Sequence, residues 1–170
     1  NTFTFDSATE PKIVNFDYEG TLLKEMTFKK SADELLYQMA NDKDVLGRRW
    51  AIGELDDLAK TDPAVKAKFV DALIVSAEKD PFWRIRKAAL VFIADVYSPE
   101  PMPGQKRPAA KLDPKVEALV LRLTKDKESL IRADAIKLLG ETQDTKFLPQ
   151  YLAALNDRSY GVIDQAAPAL

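Results

Sequence analysis

The chain of 170 residues contains no histidine and no cysteine, which excludes metal sites and nucleophiles built on imidazole or thiolate, among them structural zinc and the His-Glu-x-x-His peptidase site. Its 25 basic and 27 acidic residues leave a formal net charge of −2, too small to draw the whole chain to nucleic acid or to an anionic membrane. No uncharged run approaches the roughly 20 apolar residues that span a bilayer, so chemistry is left to carboxylates, hydroxyls, Lys and Arg. The lack of cysteine is compatible with any redox compartment, and a targeting signal, if the gene encodes one, would precede Asn1.

Residues 1–30 carry a period of two. Phe3 and Phe5 alternate, as do Val14, Phe16 and Tyr18, and Leu22, Met26 and Phe28 share one parity, with Asp17, Glu19 and Gly20 supplying turn chemistry between the last two runs. This pattern predicts a β-hairpin, too small to be stable alone in water, and is read as the remnant of a preceding β-domain. Trp50 is expected either under this hairpin or exposed as a contact for a partner.

From Ser31 the period becomes helical, and 31–170 is read as an all-α superhelix of about four helix pairs. Ser31 with Glu34 forms a capping box ahead of Leu35, Leu36 and Met39; Asp62-Pro63 and Asp113-Pro114 each set a capping residue before a first-turn proline. The apolar stripes of the first helices are Val65, Phe69, Leu73 and Ile74; then Val116, Leu119, Val120 and Leu123; then Phe147, Tyr151, Leu152 and Leu155. Ser98 to Lys111, with four prolines and the basic pair Lys106 and Arg107, is expected to be a surface loop between repeats, with partner docking as the alternative.

The second helices are versions of one another. The segments beginning at Asp42, Asp80, Asp126 and Asp157 align without a gap, and in three of them the same slot holds Arg: Arg48, Arg86 and Arg132. Ala51, Ala89, Ala135 and Ala166 share a later slot, while Ile163 stands where the fourth Arg would be. A unit repeated in this way reads as a solenoid. Three evenly spaced Asp and Arg residues fit one active site poorly, so each Asp is expected to cap its second helix and each Arg to reach back or across to a neighbouring Asp in a structural ladder. No residue is assigned a catalytic or metal-binding role. Trp50, Trp83 and Phe82 are candidate interface residues, because a large exposed aromatic fits a partner contact.

The Asp and Arg pattern resembles HEAT repeats. The run from Val14 to Leu55, with Phe16, Asp17, Leu22, Leu23, Gln38, Asp42 to Asp44, Arg48 and Arg49, is similar to the segment of aminopeptidase N-like zinc metallopeptidases that joins a β-domain to a C-terminal helical domain. Ser159 to Val162 resembles the last repeats of that family, although Ile163 and Pro168 depart from it. The resemblance implies a non-catalytic accessory module that scaffolds a catalytic domain and limits access to it. Its partners would then be the upstream catalytic and β-domains of the same polypeptide and peptide substrate entering the parent enzyme. Zinc would belong to the catalytic domain, and this chain would bind no cofactor, nucleic acid or membrane. The alternative is a freestanding HEAT adaptor binding protein along its concave face.

Overall fold

The computed structural model describes residues 4, 6–98 and 101–170. Phe3 and Phe5 lie outside the described residues, as do Pro99 and Glu100 of the proline-rich insert. Among the described residues the chain is all-helical, with eight α-helices: α1 (Ala32–Asn41), α2 (Val45–Ala59), α3 (Pro63–Lys79), α4 (Trp83–Tyr97), α5 (Pro114–Leu123), α6 (Ser129–Glu141), α7 (Leu148–Ala154) and α8 (Tyr160–Ala166). None is long and apolar enough to cross a membrane. The chain divides into two compact units, Asn1–Ala72 and Leu73–Leu170.

In the first unit α1 packs on α2. The start of α1 is fixed reciprocally: the Ser31 hydroxyl accepts from the Glu34 N–H at 3.3 Å, and the Glu34 carboxylate accepts from the Ser31 N–H at 2.7 Å. Leu35 and Met39 of α1 and Ile52 and Leu55 of α2 form the apolar seam between them. Asp62 caps α3, its carboxylate accepting from Ala64 N–H at 2.8 Å, and Pro63 occupies the first turn, where a missing N–H costs nothing.

The second unit is a row of helix pairs. Its second helices stack in sequence, α4 on α6 and α6 on α8, while α5 packs on α6 and α7 on α8. The core between them is aliphatic: Leu90 and Ile93, then Val116, Leu119 and Val120, then Ile136 and Leu139, then Val162. Asp113 caps α5 by accepting from Val116 N–H at 3.0 Å, and Pro114 opens the helix. The last stripe differs from its expected form. Phe147, Tyr151 and Ala154 are buried, whereas Leu152 is exposed. A 3-10 turn at Thr145–Phe147 precedes the short α7, and the buried face runs Phe147, Tyr151 and Ala154 in four- and three-residue steps, which leaves Leu152 outside it. Pro168 ends α8 in a 3-10 turn, Ala167–Ala169.

The N-terminal hairpin is overturned: no strand occurs among the described residues. Four backbone groups of this segment are bonded to side chains instead of to a partner strand. The Asp17 carboxylate accepts from the N–H groups of Thr21 and Leu22, Glu19 N–H goes to Asp44, and Lys30 Nζ takes the Val14 carbonyl. Asp17, Glu19 and Gly20 all lie in the left-handed region, at φ 58°, 64° and 61°, and make a tight turn rather than a strand end. The period of two is present with its faces exchanged: Asn15 and Asp17 are half-buried, while Val14, Phe16 and Tyr18 are exposed.

The described part of the insert between α4 and α5 is exposed over residues 102–106 and is tied to α6 and the end of α4 at Arg107 and Ala110. Arg107 donates from Nη1 to the Ser98 carbonyl at 3.1 Å and to Glu141 Oε1 at 3.1 Å, and Ala110 N–H bonds the Glu141 carbonyl at 2.8 Å. Tyr97 donates its hydroxyl proton to the Asp113 carboxylate. The insert's Arg107 is thus occupied in holding the loop to α6.

Candidate functional site

Each repeated Asp occupies the turn before a second helix, two residues ahead of the cap. The caps are Asp44, Phe82, Glu128 and Ser159. The Asp side chains accept from the N–H groups of those residues: Asp42 from Asp44 at 2.9 Å, Asp80 from Phe82 at 2.8 Å, Asp126 from Glu128 at 2.8 Å and Asp157 from Ser159 at 2.8 Å. These are Asx turns, which tighten the connection before each helix; among the cap residues that follow, only Asp44 caps through its side chain. The expected capping role of Asp42, Asp80 and Asp126 is corrected accordingly.

The Arg residues then join one turn to the next. Arg132 donates from Nε and Nη2 to both oxygens of Asp157, each at 2.8 Å, and from Nη1 to the carbonyls of Asp126 at 2.8 Å and Lys127 at 3.1 Å. Arg86 does the same one repeat earlier: Nε and Nη2 meet Asp126 at 3.3 and 3.1 Å, and Nη1 meets the Asp80 carbonyl at 3.2 Å. Arg48 likewise donates Nη1 to the carbonyl of Asp42 at 2.8 Å. The planar guanidinium suits this double duty, because one edge reads a carboxylate and the other a pair of carbonyls. Ile163 has no such group.

Fainter ion pairs run along the first helices. Asp33 of α1 meets Lys68 of α3, Glu78 of α3 meets Arg122 of α5, and Glu117 of α5 meets Lys146, which lies just before α7. Lys87 of α4 meets Asp134 of α6 at 2.8 Å. The first-helix pairs are largely exposed and each contributes little to stability.

The first repeat departs from the others around Asp42, and its departures coincide. Where Asp126 and Asp157 receive an Arg from the preceding repeat, Asp42 Oδ2 receives two amides, Asn15 Nδ2 at 2.7 Å and Gln38 Nε2 at 3.0 Å. Gln38 is 1% exposed; it also donates to Asn15 Oδ1 at 2.9 Å and accepts from Lys30 Nζ at 2.5 Å. Room for this cluster comes from Gly47. The aligned residues Ile85, Ile131 and Val162 are buried aliphatics, whereas a Cβ on Gly47 would overlap Asp42 Oδ2 and lie 3.2 Å from Gln38 Nε2. Asn15, Gln38 and Gly47 thus do for the first repeat what an Arg and an aliphatic side chain do for the later ones. Sequence reasoning named Gln38 only within the peptidase resemblance and missed Asn15 and Gly47, although the glycine among aliphatics was a readable signal.

Above this cluster the N-terminal segment and α2 enclose a cleft of ≈ 400 Å³. Trp50 lies in its wall, half-buried and stacked on Phe28 with ring centroids 6.4 Å apart and planes 21° apart. Lys30 Nζ stands 4.8 Å from the Phe28 centroid and 5.2 Å from that of Trp50. Burial pulls the Lys30 ammonium below the usual lysine range. Asp17 is held well below the usual carboxylate range, chiefly by its bond to Lys24 and then by the Leu22 N–H. Val14, Phe16 and Leu22 beside the cleft are 47%, 58% and 57% exposed. Trp83 sits elsewhere, half-buried at the start of α4 beneath Arg84 and beside the exposed Phe82.

The chain's own residues do not fit a zinc site: it has no His or Cys, and the described residues contain no cluster of three carboxylates placed to hold a metal ion. No protein-family model matches the chain and no curated protein matches it. The likeness to aminopeptidase N-like peptidases therefore rests on the residues between Val14 and Leu55 and the phrase near Ser159.

Two outcomes test this geometry. Replacing Arg132 by Met removes four donated bonds and leaves a half-buried carboxylate, a loss of about 1.5–3 kcal/mol at pH 7. The bonds from Arg132 hold the Asp157 carboxyl below its ordinary range, so their stabilisation is present above about pH 4 and is lost as pH falls through the depressed value. The gap between the urea midpoints of Arg132→Met and the unaltered chain should therefore narrow as pH falls from 7 towards 3, with the part due to the two carbonyl bonds persisting; a constant gap would contradict the assignment. Gly47→Ala gains helix propensity yet is expected to lose about 1–3 kcal/mol by crowding the Asp42 carboxylate, and a urea midpoint at or above that of the unaltered chain would refute the packing argument.

Proposed function

We propose that the chain is a non-catalytic helical-repeat module of the HEAT type, the C-terminal part of an aminopeptidase N-like zinc metallopeptidase. In that role it is a scaffold and a wall limiting access to a catalytic domain formed by other residues. The observation that carries this reading is the outward apolar face of the N-terminal segment, Val14, Phe16, Leu22, Leu23 and Met26, which lies within the same stretch that resembles the family's junction. Apolar side chains gathered in this way beside a cleft mark a contact surface. A covering polypeptide would remove them from water while the polar side of the segment stays bonded to α1 and α2. Peptide substrate would meet the module only as part of the chamber wall, because catalysis and zinc belong to the parent's other domains.

One observation favours a second reading, a freestanding HEAT adaptor. The Asn15 and Gln38 amides close the first repeat around the Asp42 carboxylate, and an array that folds by itself needs a closing element at its end. The two readings separate in one assay. The product of the native reading frame should hydrolyse aminoacyl amides in a chelator-sensitive manner, and the 170-residue chain should not. A reading frame that encodes no His-Glu-x-x-His segment, or a product without such activity, would contradict the peptidase reading in favour of the adaptor.

A further inference from the structure

The cleft beside Trp50 contains four charged groups, and their hydrogen bonds are unequally spent. Asp17 accepts from the Thr21 N–H and hydroxyl, the Leu22 N–H and Lys24 Nζ. Asp44 accepts from Leu46 N–H at 2.9 Å and Glu19 N–H at 3.0 Å. Lys24 is neutralised by Asp17. Lys30 is different: its ammonium donates to two neutral oxygens, the Val14 carbonyl at 2.6 Å and Gln38 Oε1 at 2.5 Å, and an ammonium has three protons to donate. Glu34 and Asp42 act on it only through space.

Resting on the reading that this face is covered by another stretch of polypeptide, we propose that the covering segment sets an apolar or aromatic side chain against Leu22, Met26 and Phe28 and a neighbouring carboxylate on Lys30 Nζ. The partner chemistry follows from what each occupant would do to Lys30. A purely apolar segment would strip water from an ammonium that has two neutral oxygen acceptors and two ring faces but no bonded carboxylate, which is costly. A basic segment would set a second cation beside Lys30 and supply no acceptor for its remaining proton. A carboxylate supplies the missing acceptor and a charge-assisted bond, strengthened by the same exclusion of water. The Phe28 and Trp50 rings flanking Nζ offer the adjoining side chain a flat apolar wall, and a cleft of ≈ 400 Å³ lies within the usual range for specific pockets.

The probes are the peptides acetyl-Ala-Phe-Asp-Ala-amide and its Asn counterpart, added to the full chain carrying Trp83→Phe, so that Trp50 gives the one indole N–H signal in a ¹⁵N correlation spectrum. The Asp peptide should shift that signal saturably and bind at least about tenfold tighter than the Asn peptide. Lys30→Gln should erase the difference and Lys30→Arg should keep it, with unchanged backbone spectra away from the cleft showing that both variants fold. Equal binding of the two peptides would overturn the acidic requirement while leaving an apolar docking face in place. Failure of either peptide to move the Trp50 signal would overturn the site itself, whereas the peptidase reading stands or falls on the activity assay.

Discussion

A guanidinium that reaches from its own turn to the next is the contact on which the described second unit depends. Arg86 and Arg132 each hold the carbonyl of the Asp six positions before them and both carboxylate oxygens of the Asp one repeat further on. Each receiving Asp also closes an Asx turn, so one carboxylate shapes its connection and receives its neighbour. Such pairs, with side chains only 7% and 11% exposed for Arg86 and Asp126, gain little net stability, because desolvation offsets their attraction. Their effect is on register: an aliphatic seam tolerates sliding, whereas a bidentate pair accepts one alignment. The buried stripes of α4, α6 and α8 supply the energy, and the Arg residues fix where it is realised.

The same logic explains the first repeat. With no earlier Arg to receive, Asp42 takes amide donors from Asn15 and Gln38, and the aliphatic slot shrinks to Gly47 to admit them. Binding the polar side of the N-terminal segment to α1 and α2 turns its apolar side outward. The exposed Phe16 and Leu22 are therefore a consequence of how the repeat is closed, and they give the module a sticky face next to a cleft that holds a cation. The proposed roles as scaffold and wall use that face; none of the repeated Asp or Arg residues needs a chemical role beyond holding the turns together.

Much of this was legible in the sequence. The gapless alignment of the second helices marked Arg86, Arg132 and their Asp partners, and Ser31, Asp62 and Asp113 marked helix starts through local bonding that needs no tertiary context. The N-terminal segment was misread because alternation reports that one face differs from the other, not which face is covered. There the covered face is the polar one, bonded to Gln38 and Asp44. The Asx turns were missed by two residues, since an Asp ahead of a helix can cap it or tighten the turn before it with the same side chain. Leu152 lies outside the core because the covered face follows Phe147, Tyr151 and Ala154, and periodicity alone does not say on which flank of a stripe the covered face ends.

The most direct measurement is hydrogen exchange across residues 14–28, compared between this chain and the product of its native reading frame. The account predicts that the native frame encodes further residues that slow exchange there and bury Phe16 and Leu22, with no change in the Asx turns at Asp126 and Asp157. Identical exchange in the two would contradict it, leaving the apolar face open to solvent and the module without the domain it is proposed to support.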